Sequence, residues 1–343
     1  MPSHYLRAPQ NGWTGKLLWG LLRMAFNVCI ALFQVVVGRL RRRPLHPAWS
    51  VQVEVIVRTL RISVAEGLQS LEVARLAPLG ALPPGLRKRV QHGHGTLAGR
   101  EYESFTPHDW QEQGKTCLYL HGGGYVTCSP ATHRMLVAQI AVETGLRCIS
   151  LDYRLAPENP FPAALEDADA AFDALLATGV RPSRLWIGGD SAGGGLSLAT
   201  MLRRRDRGAV LPAGAILLSP WVDLSGRGAS VQSNEPYDYL PAKLLHTFAG
   251  YYYGDQDPDL PEISPIQADL TGLSPLLMLT GDAELLLSEN IELASRAREA
   301  GVHIEHVVAE SMVHVYPAVL PFVADSKRAF AHMNSFVDGI GDV

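Results

Sequence analysis

The stretch Leu185-Trp186-Ile187-Gly188-Gly189-Asp190-Ser191-Ala192-Gly193-Gly194 decides the fold. An apolar, β-rich run leads into a helix rich in Gly, Ala and Leu, and the pattern Gly-x-Ser-x-Gly stands at the junction. A serine on such a turn is held in a strained backbone conformation, and the residues two before and two after it must be small. Gly189 and Gly193 meet that requirement. Ser191 is therefore a candidate nucleophile at a helix N-terminus, where backbone N–H groups favour developing negative charge.

Short β-rich runs alternate with helical patterns from about residue 115 onward, which predicts a parallel sheet covered by helices on both faces. The predicted strands are Cys117 to Leu120, Arg147 to Leu151, Leu185 to Gly188, Ala215 to Ser219, Leu276 to Thr280 and His303 to Val308. The predicted helices lie near residues 132–144, 162–177, 192–204 and 288–300. In such a sheet the chemistry gathers at the carboxyl ends of the strands.

Three of these strand ends carry candidate catalytic groups. His121-Gly122-Gly123-Gly124 follows the first strand, and glycines there let backbone N–H groups point at a substrate oxygen. A serine nucleophile needs an acid and a histidine, in that chain order. The loop after Thr280 offers Asp282, Glu284 and Glu289, and His314 is the first loop histidine after the last strand.

Residues 221–263 interrupt the alternation with a long aromatic insertion, which is too long for a plain connection. We expect it to form a cap with the N-terminal helices, its aromatic faces lining a substrate cavity. Packing of the insertion against the core is the alternative role of these side chains. The aromatic residues are Tyr237, Tyr239, Phe248, Tyr251, Tyr252 and Tyr253.

The composition of the chain limits which partners, compartment and metal ligands are expected. The net charge is -4 with basic residues scattered along the catalytic part, so we expect no nucleic acid. The four cysteines have no C-x-x-C spacing, which favours a reducing compartment. His92-Gly-His94 and His303-x-x-His306 have no third ligand at helical or turn spacing, so no metal is expected.

The first 50 residues differ from the rest of the chain, with seven basic residues and no acid. Leu17 to Leu40 predicts an apolar helix on which five polar residues fall within roughly 40° of one another. Such a helix either lies in a membrane interface with this polar seam toward water, or packs within a cap or a homodimer. A membrane span is disfavoured by Arg23 and Asn27. The seam residues are Lys16, Arg23, Asn27, Gln34 and Arg41.

The chain resembles the bacterial hormone-sensitive lipase family of esterases, which have the α/β-hydrolase fold. The resemblance runs from about Leu118 to the C-terminus and rests on linked motifs in the same order. These motifs are His121-Gly122-Gly123-Gly124-Tyr125, Asp152-Tyr153-Arg154-Leu155-Ala156-Pro157-Glu158, Gly189-Asp190-Ser191-Ala192-Gly193-Gly194, Ser219-Pro220-Trp221-Val222-Asp223-Leu224 and Met312-Val313-His314-Val315.

The resemblance implies roles for these positions. Ser191 is the nucleophile, His314 is the general base, and the N–H groups of Gly123, Gly124 and Ala192 form an oxyanion hole. The family often has aspartate in a D-P-L setting, where this chain reads Gly281-Asp282-Ala283-Glu284-Leu285-Leu286. Matching the leucine assigns the acid to Glu284. We assign the substrate pocket to Tyr125, Trp221, Tyr251 and Val315.

We therefore expect an α/β-hydrolase with three parts: an apolar, basic helix over residues 1–43, a cap and lead-in over 44–112, and a catalytic domain over 113–343. The expected activity is hydrolysis of short- to medium-chain acyl esters without a cofactor, on a small-molecule or lipid ester, in the cytoplasm or at its membrane surface. The alternatives are a ligand receptor, a membrane-attached deacylase of lipid or steryl esters, and an amidase or peptidase.

Overall fold

The computed structural model describes residues 13–75, 82–112 and 114–340, with the side chains of 13–19 and 21 left out. Within it the chain divides into two compact units, Met1–Leu79 and Gly80–Val343.

The N-terminal unit consists of two long helices and a short one, namely α1 (Trp13–Leu40), α2 (Val51–Gly67) and α3 (Leu71–Ala74). Ser50 caps α2 by accepting a hydrogen bond from the N–H of Val53. Helix α1 pairs with α2 through part of its polar seam, because Arg23 Nε donates to Glu66 at 2.7 Å and Asn27 Nδ2 donates to Ser63 at 3.1 Å. These two residues therefore face α2 and not water.

Two other seam residues, Gln34 and Arg41, are exposed, and Lys16 lies outside the described side chains. The four described residues of the seam are thus divided between the helix pair and solvent.

The second unit is built on one eight-stranded sheet, in the order β1-β2-β4-β3-β5-β6-β7-β8. Strands β3 to β8 pair in parallel, whereas β1 and β2 form an antiparallel hairpin, and β2 also pairs antiparallel with β4. The strands are β1 (Val90–Leu97), β2 (Arg100–Pro107), β3 (Thr116–Leu120), β4 (Arg147–Leu151), β5 (Leu185–Asp190), β6 (Ala215–Leu218), β7 (Leu276–Gly281) and β8 (Ile304–Ala309).

The predicted parallel sheet is confirmed, with strand ends moved by one or two residues. Strand β5 continues to Asp190, and β8 begins after His303. The hairpin β1–β2 was not predicted, and it places residues 90–107, expected in the cap and lead-in, in the sheet. Its first strand carries Gly93 and Gly95 between polar residues, a pattern with little β-propensity. Pairing with its neighbour makes it a strand.

Helices cover the sheet and connect its parallel strands. They are α4 (Pro84–Arg87), α5 (Pro130–Thr144), α6 (Ala163–Ala177), α7 (Ala192–Asp206), α8 (Ala229–Ser233), α9 (Ala242–Tyr253), α10 (Leu287–Glu299), α11 (Tyr316–Val319) and α12 (Ala324–Gly339). Helices α8 and α9 belong to the aromatic insertion, and α12 was not predicted. Strands β3, β5, β6 and β7 are buried along their whole length, so the strand ends that carry the candidate residues are fixed by the core.

Candidate active site

Ser191 stands on the turn between β5 and α7 with φ at 52° and ψ at -122°. This left-handed conformation is strained for a residue with a side chain. Two backbone hydrogen bonds hold it, since Ser191 N donates to Leu218 O at 2.8 Å and Ser191 O accepts from Trp221 N at 2.9 Å. A Cβ at Gly189 or Gly193 would collide with the carbonyl oxygen of Leu120, so the turn closes only with glycine there.

The glycine loop after β3 leaves backbone donors unused. Gly123 and Gly124 have φ values of +112° and +63°. Within the described part of the chain, the N–H groups of Gly123, Gly124 and Ala192 donate to no other group. Ala192 is the first residue of α7, where the N–H groups have no partner inside the helix. The glycine loop and the serine turn follow the neighbouring strands β3 and β5, and both thus supply free N–H donors.

Asp190, which the sequence analysis did not single out, holds the glycine loop. Its carboxylate accepts from Tyr119 Oη at 2.7 Å and from Gly122 N at 3.0 Å, and it pairs with His133 Nε2 at 3.2 Å. Burial raises the pKa of this carboxyl, but the three partners together bring it below its ordinary value. The charged Asp190 therefore ties β3, the glycine loop and the serine turn together.

His121 is fully buried and neutral, because burial lowers its pKa to about 3. Its Nδ1 lies 2.7 Å from Gly122 O, an acceptor, so this nitrogen carries the proton. The ring stacks on Tyr153 at 4.3 Å, and Tyr153 Oη donates to His121 O at 2.7 Å. His121 therefore shapes the loop and carries no charge near Ser191.

The three acids after β7, among which the sequence did not decide, have different contacts in the structure. Glu284 is fully buried, and its Oε2 accepts from Ser219 Oγ at 2.7 Å and from Gly281 N at 2.8 Å. Asp282 accepts from the backbone N–H of Ser311 at 2.5 Å and braces the two loops. Glu289 accepts from Val222 N at 2.8 Å, and burial raises its pKa well above the ordinary value. Glu284 alone of the three pairs with His314.

Glu284 and His314 face each other in a buried environment. His314 is 2% exposed, and its Nδ1 lies 3.6 Å from Glu284 Oε1, slightly beyond a normal hydrogen bond. Neither atom has a hydrogen-bond partner among the described residues. Burial lowers the pKa of His314, but the carboxylates of Glu284 and Asp238 raise it, and the net pKa lies above the ordinary histidine value. The pair can hold an imidazolium that forms during a reaction.

Asp238 is the functional candidate that the sequence did not reveal. It lies in the insertion, is fully buried, and accepts backbone hydrogen bonds from Leu285 N at 2.9 Å and His314 N at 3.4 Å. Burial raises its pKa to about 6, against the lowering effect of His314. An aspartate between tyrosines in an insertion gives no sequence signal for this. It becomes visible only when the fold brings the insertion to the two loops.

The four residues assigned to the substrate pocket have different surroundings. Tyr125 and Trp221 are each 1% exposed and lie 6.1 Å apart between ring centroids. Tyr125 also stacks on Tyr252 at 3.7 Å, so its ring packs against the insertion. Val315 is buried, and its N–H donates to Ser219 Oγ at 3.0 Å. Tyr251 is 41% exposed on α9 and does not join this aromatic group.

The pair His92 and His94 does have a third neighbour, which strand pairing supplies. Glu103 of β2 lies opposite His94, and the ligand atoms of the three residues lie within 4.8 Å of one another. Arg134 already binds this carboxylate through two hydrogen bonds of 2.6 and 2.7 Å. The absence of a metal stays a prediction.

Comparison with known proteins identifies the fold and the family. The chain matches a family with the alpha/beta hydrolase fold over residues 117–318. It is 39% identical over 228 residues to an acetyl-hydrolase of Streptomyces hygroscopicus. The aligned residues cover 66% of this chain and 76% of the relative.

Two solved structures are similar over most of their length. An esterase of the bacterial hormone-sensitive lipase family has a TM-score of 0.79 and 36% identity, over 86% of this chain and all of that one. The esterase EstE5, soaked with p-nitrophenyl butyrate, has a TM-score of 0.74 and 33% identity, over 93% of this chain and 98% of that one.

Proposed function

Because this chain belongs to the bacterial hormone-sensitive lipase family of α/β-hydrolases and is a carboxylic ester hydrolase, we propose that Ser191, His314 and Glu284 are its catalytic triad. One observation carries this assignment. Ser219 and Gly281 hold one oxygen of the buried Glu284 carboxylate, which leaves the other directed at His314 Nδ1, 3.6 Å away. An acid fixed in this way orients the imidazole and stabilises its charged form.

In the proposed reaction Ser191 Oγ attacks the ester carbonyl carbon while His314 Nε2 takes the hydroxyl proton. His314 then gives that proton to the leaving alcohol, and an acyl-Ser191 ester remains. In the second half-reaction water attacks the acyl-Ser191 ester while His314 takes a proton from it. His314 then returns that proton to Ser191 Oγ, and the carboxylic acid is released. No cofactor takes part in either half.

We assign the oxyanion hole to the N–H groups of Gly123, Gly124 and Ala192. The assignment is supported by their lack of other acceptors within the described chain and by the positive φ of both glycines. Donors held in this way stabilise the tetrahedral oxyanion without reorganising during the reaction, an effect on the order of 10² to 10³ in kcat per donor.

The proposed substrates are esters with short- to medium-chain acyl groups. The name of the Streptomyces relative, an acetyl-hydrolase, and the butyrate ester soaked into EstE5 support a small acyl group. The pocket assignment of Tyr125, Trp221, Tyr251 and Val315 remains part of the proposal. Two buried rings, Tyr125 and Trp221, support a narrow acyl site, since aromatic walls limit its width.

Turnover of p-nitrophenyl esters from acetate to palmitate, run beside a p-nitroanilide, tests this activity. We expect kcat/KM to be highest for a short or medium acyl chain and the anilide to be turned over far more slowly. Preference for palmitate would contradict the proposed acyl length, and preference for the anilide would indicate an amidase. Ser191→Ala, measured on the same panel, provides the baseline without the nucleophile.

We also infer that residues 16–43 contact the cytoplasmic surface of a membrane. By length and composition Leu22–Leu40 could cross a membrane, and only 17% of it is buried. The small number of cysteines and their lack of C-x-x-C spacing support a reducing compartment. A homodimer is the competing role for this segment.

A further inference from the structure

Helix α1 has one buried face and, opposite it, one exposed apolar face. One face, with Asn27, Ala31 and Val35, is buried to 1% exposure or less. On the other face six residues recur at alternating intervals of four and three. At about 100° per residue they fall within roughly 80° of one another, opposite the buried face. This exposed stripe consists of Leu22, Phe26, Cys29, Phe33, Val36 and Leu40.

The exposed stripe is large for a surface in water. Phe26 is 62% exposed, Phe33 is 69% exposed and Leu40 is 80% exposed. Single exposed apolar residues are ordinary, but a continuous row of this length marks a surface that has a partner. The partner must be apolar where it meets the stripe.

The surroundings of the stripe decide between a second copy and a lipid surface. A coiled-coil seam is flanked by charged residues that pair across the interface. The flanking positions here are mostly apolar, with Ala25, Ile30, Leu32 and Val37. The apolar surface therefore widens toward Leu32, which is 43% exposed, instead of ending at a charged rim. A broad apolar surface without such a rim fits acyl chains better than one helix of a second copy.

Charge at the C-terminal end of α1 indicates the kind of lipid. Arg41, Arg42 and Arg43 follow the helix directly, are exposed, and form no ion pair with any described residue. The sequence has no acidic residue before Glu54. A basic cluster beside an apolar helix face attracts anionic headgroups.

We propose that α1 lies in the plane of an anionic bilayer, with the exposed stripe in the acyl region and Arg41 to Arg43 on the headgroups. The proposal rests on the membrane contact inferred above and specifies the lipid and the orientation. It is independent of the chemistry at Ser191.

The contacts between α1 and α2 favour this orientation over a membrane span. Arg23 and Asn27 both bind Glu66 of α2, at 2.7 and 3.0 Å, and Arg39 binds the fully buried Glu54 at 3.1 Å. A span would separate α1 from these carboxylates and carry Arg23 and Asn27 into hydrocarbon without partners, which is costly. Lying in the interface keeps every one of these contacts.

Cys29 lies within the exposed stripe and allows a direct test. Cys117 and Cys148 are buried, and burial raises the pKa of Cys128, so a polarity-sensitive fluorophore should label Cys29 of the full chain selectively. Cys29→Ser is the labelling control. The labelled protein is mixed with vesicles of phosphatidylcholine alone or with added phosphatidylglycerol, and lipid-borne quenchers report the depth of the label.

We expect the emission of the fluorophore on Cys29 to shift to the blue only when phosphatidylglycerol is present. The quenchers should place the label about 5–10 Å deep in the membrane interface. Phe26→Gln with Phe33→Gln should weaken vesicle binding about 10-fold or more, and so should Arg41→Gln with Arg43→Gln. The matched control, Ile291→Gln with Phe322→Gln, changes exposed apolar residues of the other unit and should bind normally.

Three results would overturn the proposal. Equal binding to vesicles of phosphatidylcholine alone would show that no anionic lipid is required. A label at the centre of the bilayer would indicate that α1 spans the membrane. A blue shift of the labelled protein without lipid, together with disulfide cross-linking through Cys29 of the unlabelled protein, would assign the stripe to a second copy. Ser191→Ala should bind vesicles like the unchanged protein, so loss of esterase activity and loss of membrane binding are scored separately.

Discussion

The exchange of Glu284 for Gln tests the assignment of the acid, because the amide cannot satisfy all three of its neighbours. Glu284 Oε2 accepts from Ser219 Oγ and Gly281 N, and Oε1 faces His314 Nδ1. With the amide oxygen at the Oε2 position, the NH₂ group donates to His314 Nδ1. The imidazole proton then moves to Nε2, which can no longer accept the proton of Ser191.

The opposite amide orientation is less stable. It would direct the NH₂ group at the N–H of Gly281 and leave a buried donor without an acceptor, which costs about 1–3 kcal/mol. The first orientation therefore dominates, and with it the wrong tautomer of His314. We expect kcat to fall by about 10² to 10⁴, equivalent to roughly 2.7–5.4 kcal/mol of transition-state stabilisation.

Asp282→Asn is the matched control, because it changes the neighbouring acid in the same loop. Its amide oxygen can still accept from Ser311 N, so we expect kcat to fall less than about threefold. The assay is steady-state hydrolysis of p-nitrophenyl butyrate by variants whose melting temperatures match. If Asp282→Asn caused the large loss and Glu284→Gln the small one, the acid would be Asp282 and the reasoning would be wrong.

Two further predictions concern the charges around His314. The base must be neutral to act, and its pKa lies above the ordinary histidine value despite the opposing effect of burial, so the acidic limb of kcat/KM should have an apparent pKa above about 6.5. A limb at or below that value in a pH–rate profile would contradict the raised pKa. Asp238→Asn removes one of the carboxylates that raise this pKa, so the limb should move to lower pH. The asparagine keeps one accepting oxygen for the N–H of either Leu285 or Tyr239, and its NH₂ group leaves the other N–H without an acceptor, which should lower stability by about 1–3 kcal/mol in urea unfolding. An unmoved limb in a folded variant would leave Asp238 with a structural role only.

The local sequence pattern was sufficient to predict the parallel sheet and the serine turn. Strands such as Leu276–Gly281 are buried along their length and read as continuous apolar runs, and the turn at Ser191 needs small residues at fixed distances. Each of these requirements acts over a few consecutive residues. They are visible without knowing what the chain packs against.

The parts that could not be predicted depend on partners distant in the sequence. Strand β1 forms because β2 pairs with it, and Arg23 and Asn27 turn away from water because Glu66 lies on the facing helix. Asp238 is 76 residues from His314, whose N–H it accepts. No periodicity within the insertion encodes that contact, so the sequence alone left this carboxylate unnoticed.

Covalent trapping of the acyl-enzyme step tests the proposed mechanism most directly. The full chain is treated with a p-nitrophenyl phosphonate, which transfers its phosphonyl group to an activated serine and releases p-nitrophenol. Mass spectrometry of the intact protein and its peptides should show one adduct, located on Ser191, that grows in proportion to the loss of esterase activity. Ser191→Ala should take up no label and lose about 10⁴ to 10⁶ in turnover. Complete inactivation with the adduct on another residue, or near-normal turnover by folded Ser191→Ala, would contradict the assignment of Ser191 as nucleophile.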